Sequence, residues 1–306
     1  MLVIPRIIVG TARLGSVLPA ALIFGSKPEA TLRQLDAFVE AGCTAFDLAA
    51  SYQLGGTERL IGTWMASRRH RDRLFLISKG AHPYPVVRPN RLQPSAIGAD
   101  LDATLRRLRT DRLDLYLLHR DFPGAPLEPI VTTLRDAIRA GKILSWGVSN
   151  WTHRRIQAID QVARQAGLQA MSASSPHFSV FEWVRVPWTG SVSIAGAANT
   201  EARDFYRRTQ LPVLAWGPLG SGFLAGRRGN RFYGSAANLA RRQRLAVLAR
   251  AHNVTPAQIA LAYLFHQPFR VSAVVAASTV EKMRSNLAAT AIQLSSAEVE
   301  SLERAN

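Results

Sequence analysis

The chain has one cysteine, Cys43, in 306 residues. A single thiol excludes an internal disulfide and any thiolate cluster for zinc or iron, so no metal site is expected. On its own, Cys43 reads as a small core residue. No apolar stretch approaches the roughly 18 to 20 uncharged residues of a membrane helix. The start, Met1-Leu2-Val3-Ile4-Pro5-Arg6, has no basic segment ahead of its short apolar run, so no export signal is read and a cytoplasmic location is expected. Lysine is scarce as well: Lys27, Lys79, Lys142 and Lys282 are all there are. Acidic residues number 21 against 38 basic ones, a formal net charge of +17. Such a charge suits nucleic-acid binding or the steering of an anionic cofactor. The arginines are dispersed, however, as in Arg68-Arg69, Arg106-Arg107 and Arg241-Arg242. With no continuous basic run, zinc-finger spacing or aromatic-basic sheet signature, a solvated basic surface is favoured over a nucleic-acid partner.

What is present is an alternation of short β-branched runs with amphipathic stretches. Arg6–Thr11 reads as a buried strand closed by glycine. From Glu29 to Ala41 the residues Leu32, Leu35, Phe38 and Val39 recur at helical spacing, and Gly42 suits the helix end. Further strands are expected at Ala45–Leu48, Leu74–Lys79, Leu113–His119, Ile143–Ser149, Ala170–Ser174, Pro212–Trp216 and Val271–Ala276. Helices are expected over Thr57–Arg68, Gln93–Leu108, Pro129–Ala140, His153–Ala166, Glu201–Thr209 and Asn238–Phe265. Thr255-Pro256-Ala257-Gln258 starts a helix, with a capping threonine, proline in the first turn and a capping-box glutamine. Ser278-Thr279-Val280-Glu281 and Ser295-Ser296-Ala297-Glu298 have similar composition. About eight βα units in this length point to an α/β fold, a (β/α)8 TIM barrel forming a single domain over residues 1–306. The competing doubly wound sheet calls for a Gly-x-Gly-x-x-Gly turn after the first strand. Gly10-Thr11-Ala12-Arg13-Leu14-Gly15 does not supply it.

Barrels of this kind carry their chemistry at the C-terminal strand ends. Asp47 ends the second strand, with Tyr52 in the loop beyond it. Lys79 ends the third and His119 the fourth. Each alone has a structural reading: a turn cap, a solvent-directed amine, a satisfied interior histidine. Together at one rim they suit the protonation of an alkoxide. An ammonium beside a tyrosine favours the phenolate, and a carboxylate keeps that ammonium charged. A histidine beside them can orient a carbonyl oxygen.

These residues bring the chain into line with a known family. Asp47-Leu48-Ala49-Ala50-Ser51-Tyr52, followed by Gly56-Thr57-Glu58-Arg59-Leu60-Ile61-Gly62, resembles a signature of the aldo-keto reductases. Leu113–Arg120 and Lys142–Asn150 are similar to its fourth- and fifth-strand motifs. The resemblance implies Asp47, Tyr52, Lys79 and His119 as the catalytic set. It also implies reduction of an aldehyde or ketone by direct hydride transfer, with Tyr52 as general acid. The implied cofactor is NADPH, with NADH open because lysine stands at 282 where arginine is frequent. Implied contacts are Ser149, Asn150 and Ser175 with the carboxamide, and Trp216 stacked on the nicotinamide. Gly217–Gly222, including Leu219, would approach the pyrophosphate. Ser278 and Lys282 would meet the 2′-phosphate, and Asn286 the adenine. Departures are Gln53 in place of a usual glycine and Ser175 in place of a common glutamine.

The Ser175–Glu201 segment carries Phe178, Phe181, Trp183 and Trp188 without clear periodicity. It reads equally as a cover for a ligand and as a loop packed on the barrel. His82, Tyr84 and Arg120 are candidates for the wall of a substrate pocket, and the substrate itself is left open. The alternative function is a cofactor-binding regulatory protein with little turnover.

Overall fold

The structure, a computed structural model, describes residues 3–12, 14, 28–83, 90–226 and 231–304. Arg13, Gly15 and Tyr84 lie outside them. The first part of the chain runs β1 (Ile7–Gly10), α1 (Pro28–Glu40), β2 (Ala45–Asp47), α2 (Gly56–Arg68), β3 (Phe75–Gly80), α3 (Pro94–Leu108), β4 (Leu115–Leu118), α4 (Leu127–Arg139), β5 (Trp146–Ser149), α5 (His153–Gln165) and β6 (Ala173–Ser175). Then come α6 (Thr200–Thr209), β7 (Val213–Trp216), α7 (Ala236–Ala251), α8 (Pro256–Phe265), β8 (Val271–Val275), α9 (Val280–Ala288) and α10 (Ser296–Glu303). The eight parallel strands follow chain order in a closed barrel, the expected (β/α)8 class. No described helix is long and apolar enough to cross a membrane.

By internal packing the chain divides into two compact units: Met1–Ile4 with Ile8–Ala173, and Pro5–Ile7 with Ser174–Asn306. In the first, β2 pairs with β1 (Phe46 opposite Val9) and with β3 (Phe46 opposite Leu76). β3 in turn pairs with β4, setting Lys79 opposite Leu117. These strands are buried on both faces, which is why they read as continuous apolar runs instead of alternating ones. The helices are one-sided. In α4, Leu127, Ile130, Val131, Leu134 and Ala137 are buried at intervals of three and four. Each leucine, isoleucine or valine among them contributes about 1.5 to 3 kcal/mol on full burial. Where α2 meets α3 there is no room for a side chain. A Cβ on Gly62 would lie 2.3 Å from the Arg107 carbonyl oxygen. Glu58, wholly buried on α2, fastens the same contact. It accepts hydrogen bonds from Ser78 Oγ (2.7 Å), Thr104 Oγ1 (2.9 Å) and Arg107 Nε (2.6 Å).

In the second unit, β7 pairs with β6 through Val213 and Ser174, and with β8 through Trp216 and Val274. Three expectations are corrected here. The strand expected at Ala170–Ser174 begins only at Ala173 and runs to Ser175. The helical stretch expected over Asn238–Phe265 is two helices, the second beginning at the Thr255 start read from the sequence. Asn253 turns left-handed (φ 53°) after α7, and Thr255 restarts the chain with a capping box to Gln258. Pro256 has no N–H for an interior helical bond and takes the first position of α8. At α9 the cap is Thr279, whose side chain accepts from the Lys282 N–H, so Glu281 is not the box partner. Ser295 and Glu298 do form the expected box at α10.

Removing Glu58 leaves the Arg107 guanidinium and two hydroxyls without their shared acceptor. Glu58→Ala is expected to destabilise the protein by about 3 to 5 kcal/mol, the cost of breaking a buried pair from one side. Urea unfolding should show a lower midpoint at unchanged slope. A midpoint equal to that of the parent would mean that this cluster does not hold α2 to α3.

Candidate active site

β2, β3 and β4 deliver the four expected side chains to one place in the first unit. Asp47 is the last residue of β2, and its carbonyl accepts a hydrogen bond from the Thr11 hydroxyl (2.8 Å). Lys79 lies near the end of β3. Its ammonium donates to Asp47 Oδ1 (2.6 Å), to the Leu48 carbonyl (2.9 Å) and to the Tyr52 hydroxyl (3.1 Å). These three acceptors use all three of its protons. Lys79 and Asp47 are only 3% and 4% exposed. His119 directly follows β4. Its ring meets Tyr52 edge-on at 6.0 Å between centroids, and its Nδ1 lies 3.5 Å from Ser51 Oγ.

Burial governs the protonation of these groups. It pushes the Asp47 carboxyl up, against the pull of Lys79. It also works against the Lys79 ammonium, but Asp47 and Tyr52 together outweigh it and hold that amine above its ordinary value. Tyr52 departs from the expectation of a lowered phenol. Burial raises it, Lys79 and Arg120 pull the other way, and the net direction is upward. His119 falls well below its ordinary value through burial, helped by Lys79, His82 and Arg120. The site at neutral pH therefore holds a charged amine, a protonated phenol and a neutral imidazole.

The turn that carries Tyr52 is strained. Gln53 (φ 49°, ψ 39°) and Leu54 (φ 53°, ψ 41°) are both left-handed. Glycine takes this conformation freely, whereas an L side chain there costs roughly 1 to 2 kcal/mol. Gln53 Nε2 reaches back to the Ala12 carbonyl (3.3 Å), tying the turn to the loop after β1. Beside the quartet, the His82 ring meets that of His119 at 4.7 Å, and its Nδ1 lies 2.8 Å from the Pro83 carbonyl. Burial lowers His82 as well. Arg120 is half-buried and donates from NH1 to the His119 carbonyl (3.3 Å). Ser51 and Thr11 were not singled out by spacing, since hydroxyls are common in loops. Among the described residues, no group of three or more His, Cys, Asp or Glu side chains is placed to hold a metal ion.

Of the residues implied for cofactor binding, Ser149 and Asn150 close β5 in the first unit. Both are buried, Asn150 is left-handed (φ 58°), and its Nδ2 donates to Ser149 Oγ (2.8 Å). The others belong to the second unit. Ser175 is buried and donates to the Leu214 carbonyl (2.9 Å). Trp216, partly exposed at the end of β7, packs beside Trp183 and Trp188 with centroids 5.5 and 5.9 Å away. Gly217 and Gly220 are left-handed, and a Cβ on Gly220 would sit 2.8 Å from the Phe181 ring. Leu219 lies between them, half-buried. Ser278 and Lys282 are exposed around the first turn of α9, joined by a 2.9 Å bond from Nζ to Oγ. Asn286 is buried further along that helix. A helix N-terminus with a hydroxyl and an ammonium suits a phosphate dianion. The bare glycine backbone before α7 suits the approach of a second anionic group.

His177 was not singled out from the sequence. It is fully buried, with Nδ1 2.8 Å from Ser193 Oγ and Nε2 2.8 Å from Tyr233 Oη, and it stacks on Trp183 at 4.2 Å. Burial takes its pKa down to about 3, so it is a neutral brace for the tryptophans. Along the Ser175–Glu201 segment, Phe178 and Phe181 are buried, whereas Trp188 is 59% exposed.

The comparisons with known proteins point to one family. The model of the Aldo/keto reductase family matches residues 6–306. A methylglyoxal reductase of Escherichia coli is 31% identical over 287 residues, covering 92% of this chain and 86% of its own. A norsolorinic acid reductase of Emericella nidulans is 28% identical over 296 residues, covering 90% and 71%. Among solved structures, a thermostable aldo-keto reductase in complex with the inhibitor epalrestat superposes with a TM-score of 0.77 at 26% identity, covering 99% of this chain and 96% of its own. An aldo/keto reductase from Klebsiella pneumoniae in complex with NADP and acetate gives 0.75 at 27% identity, covering 98% and 90%. With a family match across nearly the whole chain and the four side chains gathered at the strand ends, this protein belongs to the aldo/keto reductase family.

Proposed function

We propose that the protein is an NADPH-dependent oxidoreductase that reduces an aldehyde or ketone to the alcohol, with Tyr52 as general acid. The observation that carries this reading is the Lys79 ammonium, bonded to Asp47 and Tyr52 in a buried setting. The chemistry supplied by bound NADPH is a hydride for the carbonyl carbon. As the carbonyl oxygen becomes an alkoxide, the Tyr52 hydroxyl gives it a proton. The phenolate left behind is stabilised by Lys79, whose Nζ also lies 4.9 Å from the Tyr52 ring centroid. Asp47 holds that amine charged and aimed. Ser51 Oγ lies 3.5 Å from His119 Nδ1, and a hydroxyl donating there would leave the ring proton on Nε2, the tautomer that donates to a carbonyl oxygen. The name of the methylglyoxal reductase and the NADP in the Klebsiella complex support the same class of reaction.

Ser278 and Lys282 would hold the 2′-phosphate, Asn286 the adenine, and the Gly217–Gly222 backbone the pyrophosphate. Ser149, Asn150 and Ser175 would take the carboxamide, with Trp216 against the nicotinamide. The fit rests on the donors at the first turn of α9 and on the side-chain-free backbone at Gly217 and Gly220.

Tyr52→Phe is expected to lower kcat for carbonyl reduction by roughly 10² or more, the scale of general acid catalysis, with NADPH affinity little changed. A variant turning over at the parental rate would remove Tyr52 from the chemistry. The pH profile follows from the directions found. Reduction needs the protonated phenol, and Tyr52 lies above the ordinary tyrosine value of about 10, so kcat should hold level through pH ~9 and decline only beyond it. Neutral His119 should add no acidic limb down to about pH 6. Oxidation of the alcohol needs the phenolate and should rise with pH. A reduction rate already falling between pH 7 and 8 would contradict the assignment.

For Lys282→Ala, titration with each cofactor should show NADPH weakened by roughly tenfold or more, the contribution of a charge-assisted hydrogen bond, and NADH nearly untouched. Equal weakening of both would place the 2′-phosphate elsewhere.

A further inference from the structure

We propose that Arg120 is an anchor for a carboxylate on the substrate, so that the preferred substrates are oxo acids: aldehydes or ketones that carry a carboxylate. The inference deepens the carbonyl-reductase reading and rests on it. Around the quartet the charges pair off, with one exception. Lys79 is matched by Asp47 at 2.6 Å. Arg91 is matched by Asp100, whose other oxygen accepts the Ala81 N–H (2.8 Å). Asp121, next to Arg120 in sequence, pairs with Arg155 at 3.3 Å. Arg120 has no carboxylate within ion-pair distance among the described residues, and those include every aspartate and glutamate of the chain. Among the described residues it donates one hydrogen bond, to the His119 carbonyl.

This guanidinium is also where a reacting molecule would feel it. It follows His119 directly, its guanidinium turns back to the His119 carbonyl, and its charge acts on Tyr52, His82 and His119 alike. His82 and His119 carry no negative charge in either protonation state, so neither supplies the missing partner. Half-burying a cation without a counter-charge is costly, and burial lowers the Arg120 pKa accordingly. A substrate carboxylate removes that cost. It meets a planar fork of donors suited to bidentate pairing, while its carbonyl oxygen lies toward Tyr52 and His119. The net positive charge of the whole chain favours the arrival of such anions.

The test uses matched pairs of two to five carbons, each an aldehyde ending in a carboxylate and its carboxamide, for example 4-oxobutanoate and 4-oxobutanamide. The protein is expected to favour the carboxylate in at least one pair by about tenfold to hundredfold in kcat/KM, the range of a charge-assisted pair. Arg120→Met should bring that ratio close to one, and Arg120→Lys should keep part of it. Succinate should compete with the oxo acid in the parent protein and lose most of that effect in Arg120→Met. NADPH affinity, followed by fluorescence, separates the remaining role of a cation here. A parallel loss of NADPH binding and of both substrates in Arg120→Met would assign the guanidinium to the cofactor and overturn the proposal. So would a parent protein that treats acid and amide alike in every pair. The general-acid reading fails on a different outcome, full turnover of both substrates by Tyr52→Phe with the selectivity ratio intact.

Discussion

The ion pair between Asp47 and Lys79 is the constraint around which the first unit is organised. Two charges taken almost fully out of water cost several kcal/mol each, and only good geometry with further hydrogen bonds offsets that. The geometry is supplied by the strands. Asp47 and Lys79 stand on neighbouring parallel strands, and Lys79 also finds the Leu48 carbonyl and the Tyr52 hydroxyl. With its three donors so used, the ammonium has one stable orientation. Moving either strand end would strand a buried charge. The placement of the chemistry and the integrity of the strand ends are therefore one requirement.

From that pair the electrostatics spread outward in order. The ammonium makes a proton on His119 unfavourable and offsets part of the burial that keeps Tyr52 protonated. Low proton affinity at the ring and high proton affinity at the phenol and the amine set a neutral imidazole, a neutral phenol and a charged amine side by side. The second unit solves a different problem by different means. Its buried histidine, His177, carries no charge and serves as a hydrogen-bonded spacer between Ser193 and Tyr233, with Trp183 stacked on it and Trp216 in a T-shaped contact.

The sequence discloses the parallel strands because burial on both faces demands apolar runs, and it discloses their polar ends because such runs stop abruptly at Asp47, Lys79 and His119. Capping residues are legible for the same local reason at Thr255 and Ser295. What escapes is whatever depends on distant partners or on cancellation. The end of α7 is masked by a run rich in helix-forming alanine, leucine and arginine, although the start of α8 at Thr255 is legible. His177 is joined to residues 16 and 56 positions away, beyond any periodicity. The rise in Tyr52 is a balance between burial and two cations, and spacing shows the cations without the burial. That Arg120 has no carboxylate partner among the described residues becomes visible only when the acidic residues are placed in space.

The left-handed turn after Tyr52 has a consequence for the cost of assembling the site. A glycine at 53 would move between basins easily, and a ligand would then have to spend part of its binding energy on holding the phenol still. Glutamine at φ 49° has few alternatives once α2 and the Ala12 carbonyl have placed it. The ordering entropy of this corner is met during folding, so the acid is already in position when a carbonyl arrives. Strain at two residues thus appears, on the time scale of turnover, as a step that does not have to occur.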